Sequence, residues 1–238
     1  MNKDSILFGV IGLLAGLIIG FMFANSVNQK GAIAPAAADM RLNSNMPPDH
    51  PAIPPGASIP GTTQGTMTPE IQATIDKAKA TPADYDAQIK AADAYYQIGR
   101  FDDAITFLKA ANKLKPEERE VIVHLGNANF DSEKYEEAEK WYVAALAKKA
   151  DDANVRTDLG LTFVFREPPL YDRAIQEFTR SLEIDPNHIQ TLQNLTVAYS
   201  KKGDAAKAKE TLAKLEAVDP KNAAIARLKD DLSKMGTQ

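Results

Sequence analysis

Apolar and small residues recur through the last two thirds of the chain with helical spacing and, above that, at a constant longer interval. Ala104, Ala138, Ala174 and Ala208 stand 34, 36 and 34 residues apart. Each lies three residues after an aromatic or small residue and four before a bulky one, in the phrases FDDAITFLKAANKLKP, YEEAEKWYVAALAKKA, YDRAIQEFTRSLEIDP and AAKAKETLAKLEAVDP. A period of this length with two helices per unit predicts an all-α solenoid, in which each unit buries its apolar face only against its neighbours.

Local signals set the expected ends of the helices. Thr68-Pro69 and Thr81-Pro82 each put a capping hydroxyl before a proline, predicting helix starts near Pro69 and Pro82. Pro116, Pro186 and Pro220 end the second helices of three units, because proline lacks the N–H that would continue the ladder, and Ala150 stands in the corresponding place of the other. Beyond Pro220, Ile225, Leu228, Leu232 and Met235 share one helical face opposite Lys229, Asp230 and Asp231, the pattern of a capping helix.

The first 67 residues follow a different pattern. Ile6 to Ala24 is a run without charge or strongly polar group, long enough for a helix to cross about 30 Å of hydrocarbon. An uncleaved transmembrane anchor is expected. A signal peptide is the competing reading, disfavoured because Met22 and Phe23 would precede a cut after Ala24. Lys3 before the run is balanced by Lys30 and Arg41 after it, so charge barely orients the segment. The short N-terminal tail favours an inner-membrane protein with its repeats in the periplasm; the alternative leaves them in the cytoplasm. Gly12, Gly16 and Gly20 lie four apart, a face on which a second membrane helix could pack to form a homodimer. Residues 25–67 carry Pro35, Pro47, Pro48, Pro51, Pro54, Pro55 and Pro60 with few large hydrophobics. They read as a disordered tether with a reach on the order of 35 to 40 Å. The expected organisation is a tail over 1–5, an anchor over 6–24, a linker over 25–67 and a repeat domain over 68–238. The repeats are expected at about 85–118, 119–152, 153–188 and 189–222, and the cap at 223–235.

Charge and composition narrow the function. The three basic and three acidic residues before position 68 cancel, so the net charge of -4 belongs to the repeat domain, where both signs are interspersed. That argues against a nucleic-acid-binding surface. The chain has no cysteine, which removes disulfides, thiol nucleophiles and thiolate metal sites. His50, His124 and His188 are scattered, and adjacent acids such as Asp102-Asp103 and Glu136-Glu137 diverge on a helix. With no phosphate loop, nucleophile elbow or paired metal histidines, no enzyme activity, cofactor or metal is expected.

From Tyr85 to Pro220 the chain resembles the tetratricopeptide repeat (TPR) family. Ala92 with Ala104, Gly126 with Ala138, and Gly160 with Ala174 match the family's small residues facing one another across a helix pair, with Thr196 in place of glycine opposite Ala208. The flanking bulky positions include Tyr95, Phe101 and Leu108, Tyr135 and Tyr142, Phe163 and Phe178, and Tyr199 and Leu212. Gln88 and Arg156 depart from the pattern by standing where a large apolar residue is usual, which predicts exposed or distorted edges. Arg166-Glu167-Pro168-Pro169 makes the turn of the third repeat two residues longer.

The resemblance implies a groove lined by the first helices that takes a peptide or helix of a partner protein. Its positions here are Ile89, Asp93 and Tyr96, then Val123, Asn127 and Phe130. Thr157, Leu161 and Val164 follow, then Gln193, Asn194 and Val197. Asn127 and Asn194 would offer amides to a peptide backbone. Ile89 and Asp93 stand where the family's carboxylate clamp needs lysine and asparagine, so capture of a terminal carboxylate is not expected. The order of anchor, proline-rich tether and repeats is also similar to that of bacterial membrane-tethered TPR modules of c-type cytochrome maturation, which hold an apocytochrome. Two functions follow: a non-enzymatic adaptor that presents a client segment for assembly or maturation, or an envelope scaffold assembled through its membrane helix and convex surfaces.

Overall fold

The computed structural model describes residues 65–235, and every regular element among them is an α-helix. The helices are α1 (Pro69–Ala80), α2 (Tyr85–Gln97), α3 (Phe101–Leu114), α4 (Arg119–Asp131), α5 (Tyr135–Lys148), α6 (Ala153–Phe165), α7 (Tyr171–Ile184), α8 (Ile189–Lys202), α9 (Ala205–Val218) and α10 (Ile225–Met235). No helix among them is long and apolar enough to cross a membrane. The expected anchor over 6–24, with Gly12, Gly16 and Gly20, and the linker up to residue 64 lie outside the described residues.

Helices pair as hairpins, α2 with α3, α4 with α5, α6 with α7 and α8 with α9, and each second helix packs on the first helix of the next pair. The first helices also touch in file, α4 against α6 and α6 against α8. The core is accordingly a chain of clusters. Ile75, Ala78, Ala91 and Tyr95 join α1 to the first pair, Leu108, Ala111 and Leu125 join the first to the second, and Leu192, Leu212, Leu228 and Leu232 close the end.

Within a pair, the bulky residue four places after the repeated alanine sets the fit. A Cβ added to Gly126 would lie 2.5 Å from Tyr142 Cε1, and one added to Gly160 would lie 2.5 Å from Phe178 Cε1. The small residue of the first helix is thus filled by an aromatic ring, and that ring, more than the repeated alanine, is its close neighbour. The outer pairs carry Ala92 and Thr196 at this position with Leu108 and Leu212 at the bulky one, so the size lost on one helix is recovered on the other.

Two expectations are corrected by hydrogen bonding. Helix α2 starts at Tyr85, not near Pro82, because Asp84 Oδ1 accepts from Ala87 N at 3.1 Å, while Thr81 ends α1 by donating its hydroxyl to Lys77 O at 2.8 Å. Gln88 does not mark an open edge: it is buried, and its Nε2 donates to Ala78 O at 2.8 Å, satisfying a carbonyl near the C-terminus of α1. Arg156, likewise, pairs with Glu177 at 2.9 Å and donates to Ala150 O at 3.0 Å, tying α6 to α7 and to the preceding turn.

The turns inside three pairs need a left-handed residue. Gly99 (φ 71°) and Gly203 (φ 87°) supply it in the first and fourth, and Glu133 (φ 61°) supplies it in the second. The longer third turn takes another course: Leu170 N donates to Phe163 O at 2.8 Å, and Arg166 and Arg173 both pair with Glu139 of α5. At the C-terminal end, α10 buries Leu228 and Leu232 against α9 and leaves Lys229, Asp230 and Ser233 outward, so it stops the stack.

Candidate functional site

The expected groove residues lie on the first helices α2, α4, α6 and α8 and divide there by burial. Asp93 is exposed, and Ile89, Tyr96, Leu161, Val164 and Val197 are partly exposed. Val123, Asn127, Phe130, Thr157, Gln193 and Asn194 are buried. For these six the expectation of an open ligand contact is corrected, and the reason differs by residue. Val123 and Phe130 belong to the core shared by the second and third pairs. Gln193 Nε2 donates to Asn222 Oδ1 at 2.6 Å, fastening α8 to the loop before α10.

Thr157 lies in a cage of hydroxyls under α6, α7 and α8. Its Oγ1 is 3.0 Å from Ser181 Oγ and 2.6 Å from Thr191 Oγ1, and both Thr157 and Ser181 donate to Ala153 O. His188 completes the cage. Its Nδ1 lies 2.6 Å from Thr191 Oγ1 and accepts from Thr191 N, capping α8, while its Nε2 is 2.7 Å from Asn154 Oδ1. An accepting Nδ1 requires the proton on Nε2, where it donates to Asn154. Burial holds this imidazole below the usual histidine range, against the smaller pull of Asp185 and Asp152. No periodic signal marks a polar cage whose members come from three helices.

In the middle of the face a second polar cluster joins three helices. Tyr96 of α2 donates its hydroxyl to Asp131 Oδ2 of α4. Asn127, one turn before Asp131, accepts from Tyr142 Oη through Oδ1 at 2.9 Å, and its Nδ2 has no hydrogen-bond partner among the described residues. Both tyrosine hydroxyls are pushed well above the ordinary range, first by burial and then by Asp131 and Asp158 of α6, so the two carboxyls and two phenols share one neighbourhood. Asp93 is also raised, by partial burial, with His124 of α4 opposing the shift. Phe130, Tyr135 and Phe165 stack at one edge, Phe130 edge-on to Phe165 at 5.5 Å. Among the described residues no group of three or more His, Asp or Glu is placed to hold a metal ion.

Two family models described as tetratricopeptide repeat match the chain, one over residues 99–159 and 170–232 and the other over 69–119. Among solved structures, a crystal structure of MamA is 28% identical with a TM-score of 0.58, over 64% of this chain and 88% of that one. MamA 41-end from Desulfovibrio magneticus RS-1 is 20% identical with a TM-score of 0.58, over 64% and 85%. YrrB, described as a TPR protein with an unusual peptide-binding site, is 22% identical with a TM-score of 0.59, over 68% and 84%. No curated protein matches the chain.

Proposed function

Since the chain belongs to the tetratricopeptide repeat family and is a protein–protein interaction module, we propose that it is a non-enzymatic, membrane-tethered adaptor that holds an extended segment of a client along its first helices. The observation that carries this reading is the set of partly exposed apolar side chains on three of the four first helices, Ile89 and Tyr96 on α2, Leu161 and Val164 on α6 and Val197 on α8, with exposed Asp93 beside the α2 pair. Partly exposed apolar side chains spaced along successive first helices suit alternate side chains of an extended peptide. The anchor is Ile6 to Ala24, in the inner membrane, with the repeats in the periplasm, where the proline-rich tether lets them reach a client emerging from an assembly or maturation step. Association through Gly12, Gly16 and Gly20 would pair two such modules.

The test places a benzophenone amino acid at Leu161 or Val197 of the full-length chain and, for comparison, at Val143 of α5, which is 49% exposed. Client cross-links from the first two sites and none from Val143 are expected. Cross-links from Val143 alone would sink the groove and favour the scaffold reading. For the anchor, the chain should stay with membranes in alkaline carbonate, and a C-terminal reporter should be active only in the periplasm; release, or a cytoplasmic signal, overturns that part.

A further inference from the structure

The chain enters the repeat domain at one defined place. Gly65 N donates to Ile98 O at 2.8 Å, in the turn between α2 and α3, and a Cβ on Gly65 would lie 3.0 Å from Ile98 Cα, so the two backbones touch there. Met67 then packs against the cluster of Ile75, Ala91 and Tyr95. The backbone upstream of Gly65 therefore starts at the edge of the solenoid made by the turns inside the helix pairs.

That edge carries a row of aromatic rings. Tyr96 and Phe101 flank the first turn with ring centroids 5.0 Å apart. Phe130 and Tyr135 flank the second at 5.3 Å, and Phe165, at the end of α6, lies 5.5 Å from Phe130 and 5.9 Å from Tyr135. Two links hold the turns side by side: Tyr96 donates to Asp131, and Asp102 at the start of α3 accepts from Ser132 at 2.6 Å and from Lys134 at 2.5 Å. Phe130 is buried, whereas Tyr96, Phe101, Tyr135 and Phe165 each keep part of their surface in water.

The residues just before the entry point have the composition that such a row takes. Met46 to Pro60 contains Pro47, Pro48, Pro51, Pro54, Pro55 and Pro60 with Ile53 and Ile59, and its ionisable side chains are Asp49 and His50. Proline rings pack on aromatic rings, and a polyproline helix has little conformational entropy left to lose on docking. Its rise of about 3.1 Å per residue takes Pro54 to Pro60 over about 20 Å, which matches two spacings of about 10 Å between packed helices from α2 to α6. A spacer as short as Gly61 to Gln64 holds the stretch at an effective concentration on the order of millimolar, so weak contacts suffice.

We propose that the proline-rich stretch Met46 to Pro60 docks along this aromatic row of its own chain, leaving residues 25–45 as the tether. The docking site is separate from the client strip, with which it shares Tyr96 alone, and it stands whether or not the strip takes a client.

The test uses the full-length chain in lipid nanodiscs with a benzophenone amino acid at Ile53 or, for comparison, at Ala37, made as a mixture of unlabelled and nitrogen-15-labelled protein. After irradiation, mass spectrometry should place the Ile53 attachments between Tyr96 and Phe101, between Phe130 and Tyr135, or beside Phe165, within single chains, and the Ala37 yield should be at least fivefold lower. In P51A/P54A/P55A the Ile53 yield should fall about fivefold or more, while the helical circular dichroism stays unchanged because the altered residues precede the first helix. Attachments joining labelled to unlabelled chains would assign the row to a second copy and overturn docking in cis. Scattered attachments, or equal yields from Ile53 and Ala37, overturn the docking site itself. A yield that survives the loss of the three prolines overturns the proline chemistry.

Discussion

The ring of Phe178 occupies the space that a β-carbon on Gly160 would need, its Cε1 lying 2.5 Å from that position. Phe178 is fully buried, so the ring cannot swing aside. Gly160→Ala should therefore destabilise the protein by about 1 to 3 kcal/mol through overpacking. Combined with Phe178→Leu, which reproduces the alanine and leucine found at Ala92 and Leu108, the loss should be smaller than the sum of the single losses. Urea unfolding of the two single variants and the double variant measures the coupling; strict additivity would refute the size-matching account.

Glu133 takes the left-handed turn position that glycine takes at Gly99 and Gly203. A side chain there costs about 1 to 2 kcal/mol in backbone energy. Glu133→Gly is expected to raise stability by about 1 kcal/mol, and Gly203→Ala, where an added Cβ meets nothing within 4 Å, to lower it by a similar amount. Thermal melting of the pair should give shifts of opposite sign.

Burial lowers the proton affinity of His188 in the folded chain. The unfolded chain binds its proton near pH 6.5, so folding stability should be flat above that pH, decline as pH falls through it, and level off below the depressed folded value. Protonation also removes the Nδ1 acceptor that caps α8. Unfolding followed from pH 8 to pH 5 should show this decline, and His188→Asn, which retains a capping oxygen, should flatten it. The carboxylates held low by cationic partners, such as Glu139 between Arg166 and Arg173, lose their contribution only at more acidic pH.

At Gln88, replacement by leucine would restore the apolar residue usual in the family and yet should destabilise by about 1 to 2 kcal/mol. Ala78 O and Thr81 O would lose their donor inside the protein. Hydrogen exchange should localise the effect to α1. A gain in stability would show that these carbonyls find water without cost.

Much of this molecule can be read from one dimension because its order is local. The period of Ala104, Ala138, Ala174 and Ala208, the prolines after the second helices and the amphipathic run from Ile225 to Met235 depend on neighbours within a few residues, so the sequence by itself determined a helical repeat and its phase. What it could not determine was which way the polar members of each first helix are used. Asn127, Thr157 and Gln193 sit at positions that a repeat template assigns to a groove, but their partners are Tyr142, Ser181 and Thr191, and Asn222, brought close only when helices stack. A buried amide or hydroxyl is stable only where a partner waits for it. Whether such a partner exists is a property of the packed solenoid, and tertiary structure alone separated the polar residues left exposed on that face from those buried behind it.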